Sequence, residues 1–166
     1  MEELALRPLY QPVVARLRCF RGIDTHAAMV LATEIGDWRR FDSPRKLMAY
    51  LGLVPTEDSS GLVHRTGSIT KAGNSHVRHV LVQAAWNCRR QPAAGTTLKA
   101  RQRGQPPQVI AHAWQAQHRL HKLFGRLAAR RGAPIAAVAV ARELVGFLWA
   151  ALQDLEAAGS TRSQAA

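Results

Sequence analysis

Residues Val54 to Asn74 read VPTEDSSGLVHRTGSITKAGN. This is the one long stretch rich in Ser, Thr, Gly and polar residues in a chain whose other segments carry apolar residues at helical spacing. It is too long to be only a connector between helices. A chain of this pattern must therefore fold as a helical domain with an ordered loop or small hairpin set into it. The spacing predicts strands near Leu62-Val63 and Ser68-Ile69. The expected fold class is mostly α: a compact helical domain with helix-hairpin-helix-like elements and a small irregular or β-hairpin insertion.

Helix punctuation supports this on both sides. Pro8 and Pro12 make any first helix begin late or break. Asp24 or Thr25 can cap a helix over Ala27 to Ile35 that Gly36 ends, and Ser43-Pro44 opens another that Gly52 closes. Glycine-bearing turns between short helices can hold phosphate through backbone N–H groups, as helix-hairpin-helix units do. Asn74 or Ser75 can cap a helix carrying Val77, Val80, Leu81, Ala84, Ala85 and Cys88 on one broad face. After the basic stretch Thr96 to Gln105, a long helix is expected from Val109 to Arg131, and Pro134 starts a last one. Trp86, Trp114 and Trp149 fall on apolar helical faces and are expected in the core. The expected divisions are a lead-in over 1–16, a main domain over 17–153 and a disordered tail over 154–166.

Charge narrows the function. The formal net charge is +12, and from Ser59 to Arg142 there is no Asp or Glu while 14 of the 23 Lys and Arg residues fall there. Such a stretch attracts a polyanion and releases its counterions. The residues expected to meet nucleic acid are Arg65, Lys71, Asn74, Arg78, Arg89 and Arg90. The bland reading is a basic solvated surface. No uninterrupted apolar run of about 18 residues is apparent, so no membrane partner is expected. The acids of MEELALRPLYQPVV do not suit a secretory signal. A cytoplasmic, nucleoid-associated location follows.

Several groups could carry chemistry. Ser59-Ser60-Gly61 sits in the polar stretch, where a serine beside glycine can expose its hydroxyl; the plain alternative is an ordinary turn. A serine that attacks a phosphodiester needs an activator and cationic charge. Arg65, Lys71 and Arg78 are candidates for the charge, and His64, His76 and His79 for proton transfer. Lys71-Ala72-Gly73-Asn74 could bring a helix start and a lysine to a phosphate, but its spacing is not that of a Walker loop. His76/His79 and His118/His121 repeat a three-residue spacing, and with Cys88 they could only loosely form a zinc site. Asp24, Glu34, Asp37 and Asp42 are read as helix-terminal acids before an Mg²⁺ cluster. No metal site is assigned.

The series FRGIDTHAAMVLATEIGDWRRFDSPRKLMAYLGLVP, then SSG, then GSITKAGNSHVRHVLVQAAW resembles the C-terminal, serine-bearing domain of the DEDD-type insertion-sequence transposases and Piv-type DNA invertases. PIAAVAVARELVGFLWAAL resembles their closing helix. The likeness runs from about Leu17 to Leu152. It implies a serine nucleophile in a Ser-Gly motif, which falls on Ser60, with Ser59 as alternate. It also implies DNA as substrate, a structured guide RNA and assembly as a homo-oligomer. Mg²⁺ is implied for the complete enzyme, held by a RuvC-like domain with an acidic tetrad, and no cofactor is expected on this chain. Because only 16 residues precede Leu17, the N-terminal RuvC-like domain is expected to be absent. The chain is then expected to be a truncated recombinase portion, inactive alone. The alternative is a non-catalytic nucleic-acid-binding or oligomerisation module.

Overall fold

Asp24, Ser43 and Asn74 each place a side-chain oxygen on the first N–H groups of a helix, and these three caps set the frame of the chain. The computed structural model describes residues 2–60, 63–153 and 155. Among them are eight α-helices: α1 (Glu2–Ala5), α2 (Gln11–Leu17), α3 (Thr25–Ile35), α4 (Pro44–Tyr50), α5 (Ser75–Trp86), α6 (Thr96–Gln102), α7 (Pro107–Arg131) and α8 (Ala133–Gln153). Short 3-10 turns cover Trp38–Arg40 and Asn87–Arg89. The mostly helical fold with one small hairpin is as the sequence predicts. The stretch Thr96–Gln102 also turns out helical, anchored by the single buried Leu98.

The core is built on α8. Val140, Leu144, Val145, Leu148 and Leu152 are buried between α7, α5, α4 and α2. Each such side chain contributes roughly 1.5–3 kcal/mol on leaving water, as an upper bound. By length and composition α8 is the one helix among the described residues that could cross a membrane, with a mean hydropathy of 1.8 and half of that stretch buried inside the fold. Arg142 and Glu143 interrupt the apolar residues, which hid this run from the sequence reading. Here other helices cover one side of it, while Ile135 near its start is 55% exposed.

Two strands make the only sheet among the described residues: β1 (Pro55–Ser60) pairs antiparallel with β2 (Val63–Ile69). Glu57 stands opposite Thr66, Asp58 opposite Arg65, Ser59 opposite His64 and Ser60 opposite Val63, with an irregularity between Pro55 and Glu57. The strand boundaries differ from expectation. Val63, Ser68 and Ile69, expected on two strands, all lie on β2, and the first strand is the polar run before them. The two strands pack chiefly on each other, and Ile69 of β2 also packs against the core. The first strand leaves no apolar alternation to read. Leu62 and Gly61 lie outside the described residues, as does the expected tail apart from Leu155.

The tryptophans divide. Trp38 is 4% exposed, Trp86 is half-buried against Phe124, and Trp149 is half-buried with its Nε1 donating to the Phe41 carbonyl at 3.0 Å. Trp114 is 42% exposed, which corrects its expected place in the core. It stands next to the buried row of Ala113, Ala116, Gln117, Leu120 and Phe124, on the solvent edge of α7.

Candidate functional site

The hairpin is fixed at its neck by two turns that meet backbone to backbone. The turn after α4 and the turn before α5 cross at Gly52 and Gly73, with φ of 65° and 74°. A Cβ at Gly52 would overlap the backbone of Ala72, and one at Gly73 the carbonyl of Tyr50. Only glycine allows both the left-handed backbone and this approach. Lys71 N–H donates to the Gly52 carbonyl at 3.1 Å and Thr70 N–H to the Val54 carbonyl at 2.9 Å. Lys71 itself holds φ of 56°, which costs an L-residue about 1 kcal/mol and persists because the neck over-determines it.

Arg78 closes the same neck from α5. Its Nη1 donates to the carbonyls of Leu51 at 3.1 Å, Ala72 at 2.7 Å and Gly73 at 3.4 Å. Asn74 accepts from the N–H groups of His76 and Val77, and its Nδ2 donates to Glu34 Oε2 at 2.6 Å. Of these two residues expected on nucleic acid, Asn74 has both its side-chain polar atoms, and Arg78 its Nη1, engaged within the fold. Lys71 is exposed at the start of α5, while Arg89 and Arg90 are exposed beyond its end. The length of α5 holds the two groups on the order of 18 Å apart, so they are not one cluster. The backbone of Ser59, Ser60 and Arg65 lies in the hairpin near its tip; their side chains are outside the described residues.

A cleft of about 1140 Å³ opens where the hairpin base meets α4, α7 and α8. Gly67, Ser68 and Ile69 of β2 line it together with Arg45, Arg131 and Arg142. Three helices thus bring cations to the hairpin base, and sequence spacing gave no sign of this. Their distribution over residues 45 to 142 is the reason.

The acidic side chains are otherwise occupied. Asp24 accepts from Ala27 N–H at 2.8 Å, Asp37 binds Arg39 at 2.8 Å, and Asp42 pairs with Lys46. The hydrogen bond and charge of Lys46 hold the Asp42 carboxyl below its ordinary range. Glu34 bonds Asn74 and lies 3.8 Å from His76 Nδ1. Among the described residues no three His, Cys, Asp or Glu side chains gather as a metal site. His121 Nδ1 is bonded to the Cys88 carbonyl at 2.9 Å, and both cysteines are buried. Burial pushes the Cys19 and Cys88 thiols up to about 11, against the lowering pull of nearby arginines.

Comparison with known proteins places this architecture. A family model described as Transposase IS116/IS110/IS902 family matches residues 14–99. A putative transposase of Sinorhizobium fredii is 47% identical over 143 residues, which cover 86% of this chain and 37% of that protein. A probable family 20 transposase of Pseudomonas aeruginosa is 33% identical over 84% of this chain and 35% of its own length. The transposase of insertion sequence element IS1533 of Leptospira borgpetersenii is 31% identical over 79% and 38%. The chain thus spans a little over a third of the length of each of these relatives.

These matches correct three linked expectations. The family's own transposase domain, as its model delimits it, lies within this chain at residues 14–99. The chain is not a remnant from which the family's domain is missing, as the absent RuvC-like domain had suggested. The description of it as a truncated portion, inactive alone, falls with that. So does the expectation that catalysis must be left to a domain not present here. The error came from reading significance into the 16 residues before Leu17, and the position where a sequence starts carries no such information.

Proposed function

Because the chain belongs to the IS116/IS110/IS902 transposase family, we propose that it is a DNA-handling domain of an insertion-sequence transposase whose hairpin offers Ser60 to a DNA phosphodiester. One observation carries the reading. Ser59 and Ser60 stand on a two-stranded ribbon whose base lines a cleft together with Arg45, Arg131 and Arg142. A reactive group on such a ribbon can meet a bulky polymer without unfolding anything. The Ser60 Oγ–phosphorus bond would form as the bond from phosphorus to a deoxyribose oxygen breaks. The serine proton passes to a base or to water, and the leaving oxygen takes one up. The energy of the broken ester is kept in the serine–DNA ester. Ser59 is the alternate, with His64 opposite it in the strand register.

DNA contact is assigned to the exposed Lys71, Arg89 and Arg90, and to Arg65 on β2, with Asn74 and Arg78 holding the neck in shape. A structured guide RNA and a homo-oligomer belong to the same proposal; the exposure of Leu6 and Leu9, at 73% and 76%, supports a further protein surface. Mg²⁺ belongs to it through the family resemblance, and the described residues supply no step through the metal. The place of action is bacterial cytoplasmic DNA, in keeping with a fold whose most apolar helix is packed among others.

The test is a suicide DNA substrate carrying the element's end, followed by a denaturing gel and peptide mass spectrometry. DNA attached to the hairpin peptide is the expected product. Ser60→Ala should abolish it and leave folding and DNA affinity nearly unchanged. An adduct on Ser59 moves the assignment by one residue. An adduct that survives in the double alanine variant ends the serine reading.

A further inference from the structure

The outer face of α7 carries a feature unconnected with the hairpin. Trp114, His118, Lys122, Arg126 and Arg130 recur every fourth residue, and all five are exposed. Residues four apart form a ridge inclined across a helix surface, and successive members rise on the order of 6 Å. The row therefore crosses the solvent face diagonally over roughly 24 Å. Trp114 and His118 meet edge to face, with ring centroids 4.6 Å apart. Lys122, Arg126 and Arg130 have no hydrogen-bonding or ionic partner among the described residues. The helix contains no acid, and its nearby Arg119 is the one cation on it that is paired, to Glu143 at 2.6 Å. Gly125 lies beside the row with nothing within 4 Å of where a Cβ would stand.

A large indole in water needs a reason, and so do three uncompensated cations in line with it. An acidic protein partner would use the cations and leave the indole idle. A DNA duplex would use the cations too, but it hides the faces of its bases in the stack. An unpaired strand uses both, because every base then offers a π-face to an aromatic ring while its phosphates follow the cations. We propose that the outer face of α7 is a binding track for single-stranded DNA, with Trp114 as the stacking platform, His118 bracing the indole, and Lys122, Arg126 and Arg130 along the phosphates. The track stands apart from Ser60 and shares with the preceding proposal only DNA as partner.

The experiment measures anisotropy of a labelled oligothymidine, the same strand as a duplex, and an oligouridine of equal length, with the full chain and its variants. The single strand should bind more tightly than the duplex. Trp114→Ala should weaken it on the order of tenfold, with little change for the duplex, and Trp114→Phe should restore most of the loss. The triple change Lys122→Ala, Arg126→Ala and Arg130→Ala should lower the salt slope for the single strand by about 2. Unchanged circular dichroism is expected in every variant, since no altered side chain is buried. Equal loss for strand and duplex in Trp114→Ala would overturn the proposal, as would an unaltered single-strand affinity. Oligouridine bound tenfold more tightly than oligothymidine would overturn it in favour of RNA. None of these readings depends on a covalent adduct, so failure here leaves the serine proposal standing and the reverse also holds.

Discussion

Two sets of cations in this molecule behave in opposite ways. Around the turn between α2 and α3 and at the hairpin neck, guanidinium groups point inward at backbone oxygens. Arg16 reaches the Ala151 carbonyl at 2.9 Å, Arg21 the Gln91 carbonyl at 2.5 Å, Arg101 the Ile23 carbonyl at 2.5 Å, and Arg78 three carbonyls of the neck. On the outer face of α7, Lys122, Arg126 and Arg130 reach nothing among the described residues. Every cation in either set adds one unit to the +12 formal charge. Only the second is available to a polyanion. An arginine drawn onto peptide carbonyls has its N–H groups satisfied there while its positive charge stays uncancelled. Net charge alone thus says little about which cations meet a ligand.

The difference can be strained hardest at the neck that Arg78 serves. Gly73→Val forces a side chain into the Tyr50 carbonyl at a left-handed backbone position and should cost about 4 kcal/mol or more. Urea unfolding should show it, and a loss under about 1 kcal/mol would mean the crossing is not built as described. Next is Arg78→Met, which keeps the aliphatic stem but strips three carbonyls of their donor. Its half-buried setting sets the expected loss at about 2 kcal/mol. If the same assay finds no loss, the inward set would be no more structural than the outer one.

The cysteines probe whether the inward arginines act at a distance. Their charge pulls the Cys19 thiol down, burial pushes it up, and burial wins at about 11. Both thiols stay protonated in the folded chain above the pH at which unfolded ones ionise. Their contribution to stability is full below about 9 and is lost as pH rises toward 11. Melting temperature should fall across that window and fall less in Cys88→Ala, and iodoacetamide should label neither cysteine in the native state at pH 8. Smaller still is Gly125→Ala on α7, where nothing obstructs a Cβ; a gain of up to about 1 kcal/mol is expected. The triple alanine change on the α7 row should move stability by no more than about 0.5 kcal/mol. A larger loss would show that the outer cations share the duty of the inner ones.

Helix starts were legible because their signals are local. Asp24, Ser43 and Asn74 cap the helices that follow them, as their residue types suggest, and Pro44 and Pro107 stand in first turns. The first strand was not legible, because Thr56 to Ser60 carry no apolar alternation. Trp114 was misplaced by counting large residues on a helix. The buried face of α7 is lined partly by alanines and Gln117, so the indole one position away looked like the natural core residue. The engagement of Arg78 could not be read at all, since its partners are peptide oxygens that every residue possesses. At the candidate site, Ser60 is singled out by its motif alone and its side chain lies outside the described residues, whereas Arg45, Arg131 and Arg142 come to the hairpin base only through the packing of three helices.

The backbone crossing at Gly52 and Gly73 also bears on how this domain can change over generations. It ties the two ends of the ribbon together before the ribbon begins, so the helices on either side do not register what lies beyond the knot. Lengthening a closed loop is thermodynamically mild, about 0.6 kcal/mol for each doubling. Residues past the neck can be inserted, deleted or exchanged while α4, α5 and the helices behind them keep their places. The helical body is insulated from the segment beyond that neck, and variation there leaves the fold in place.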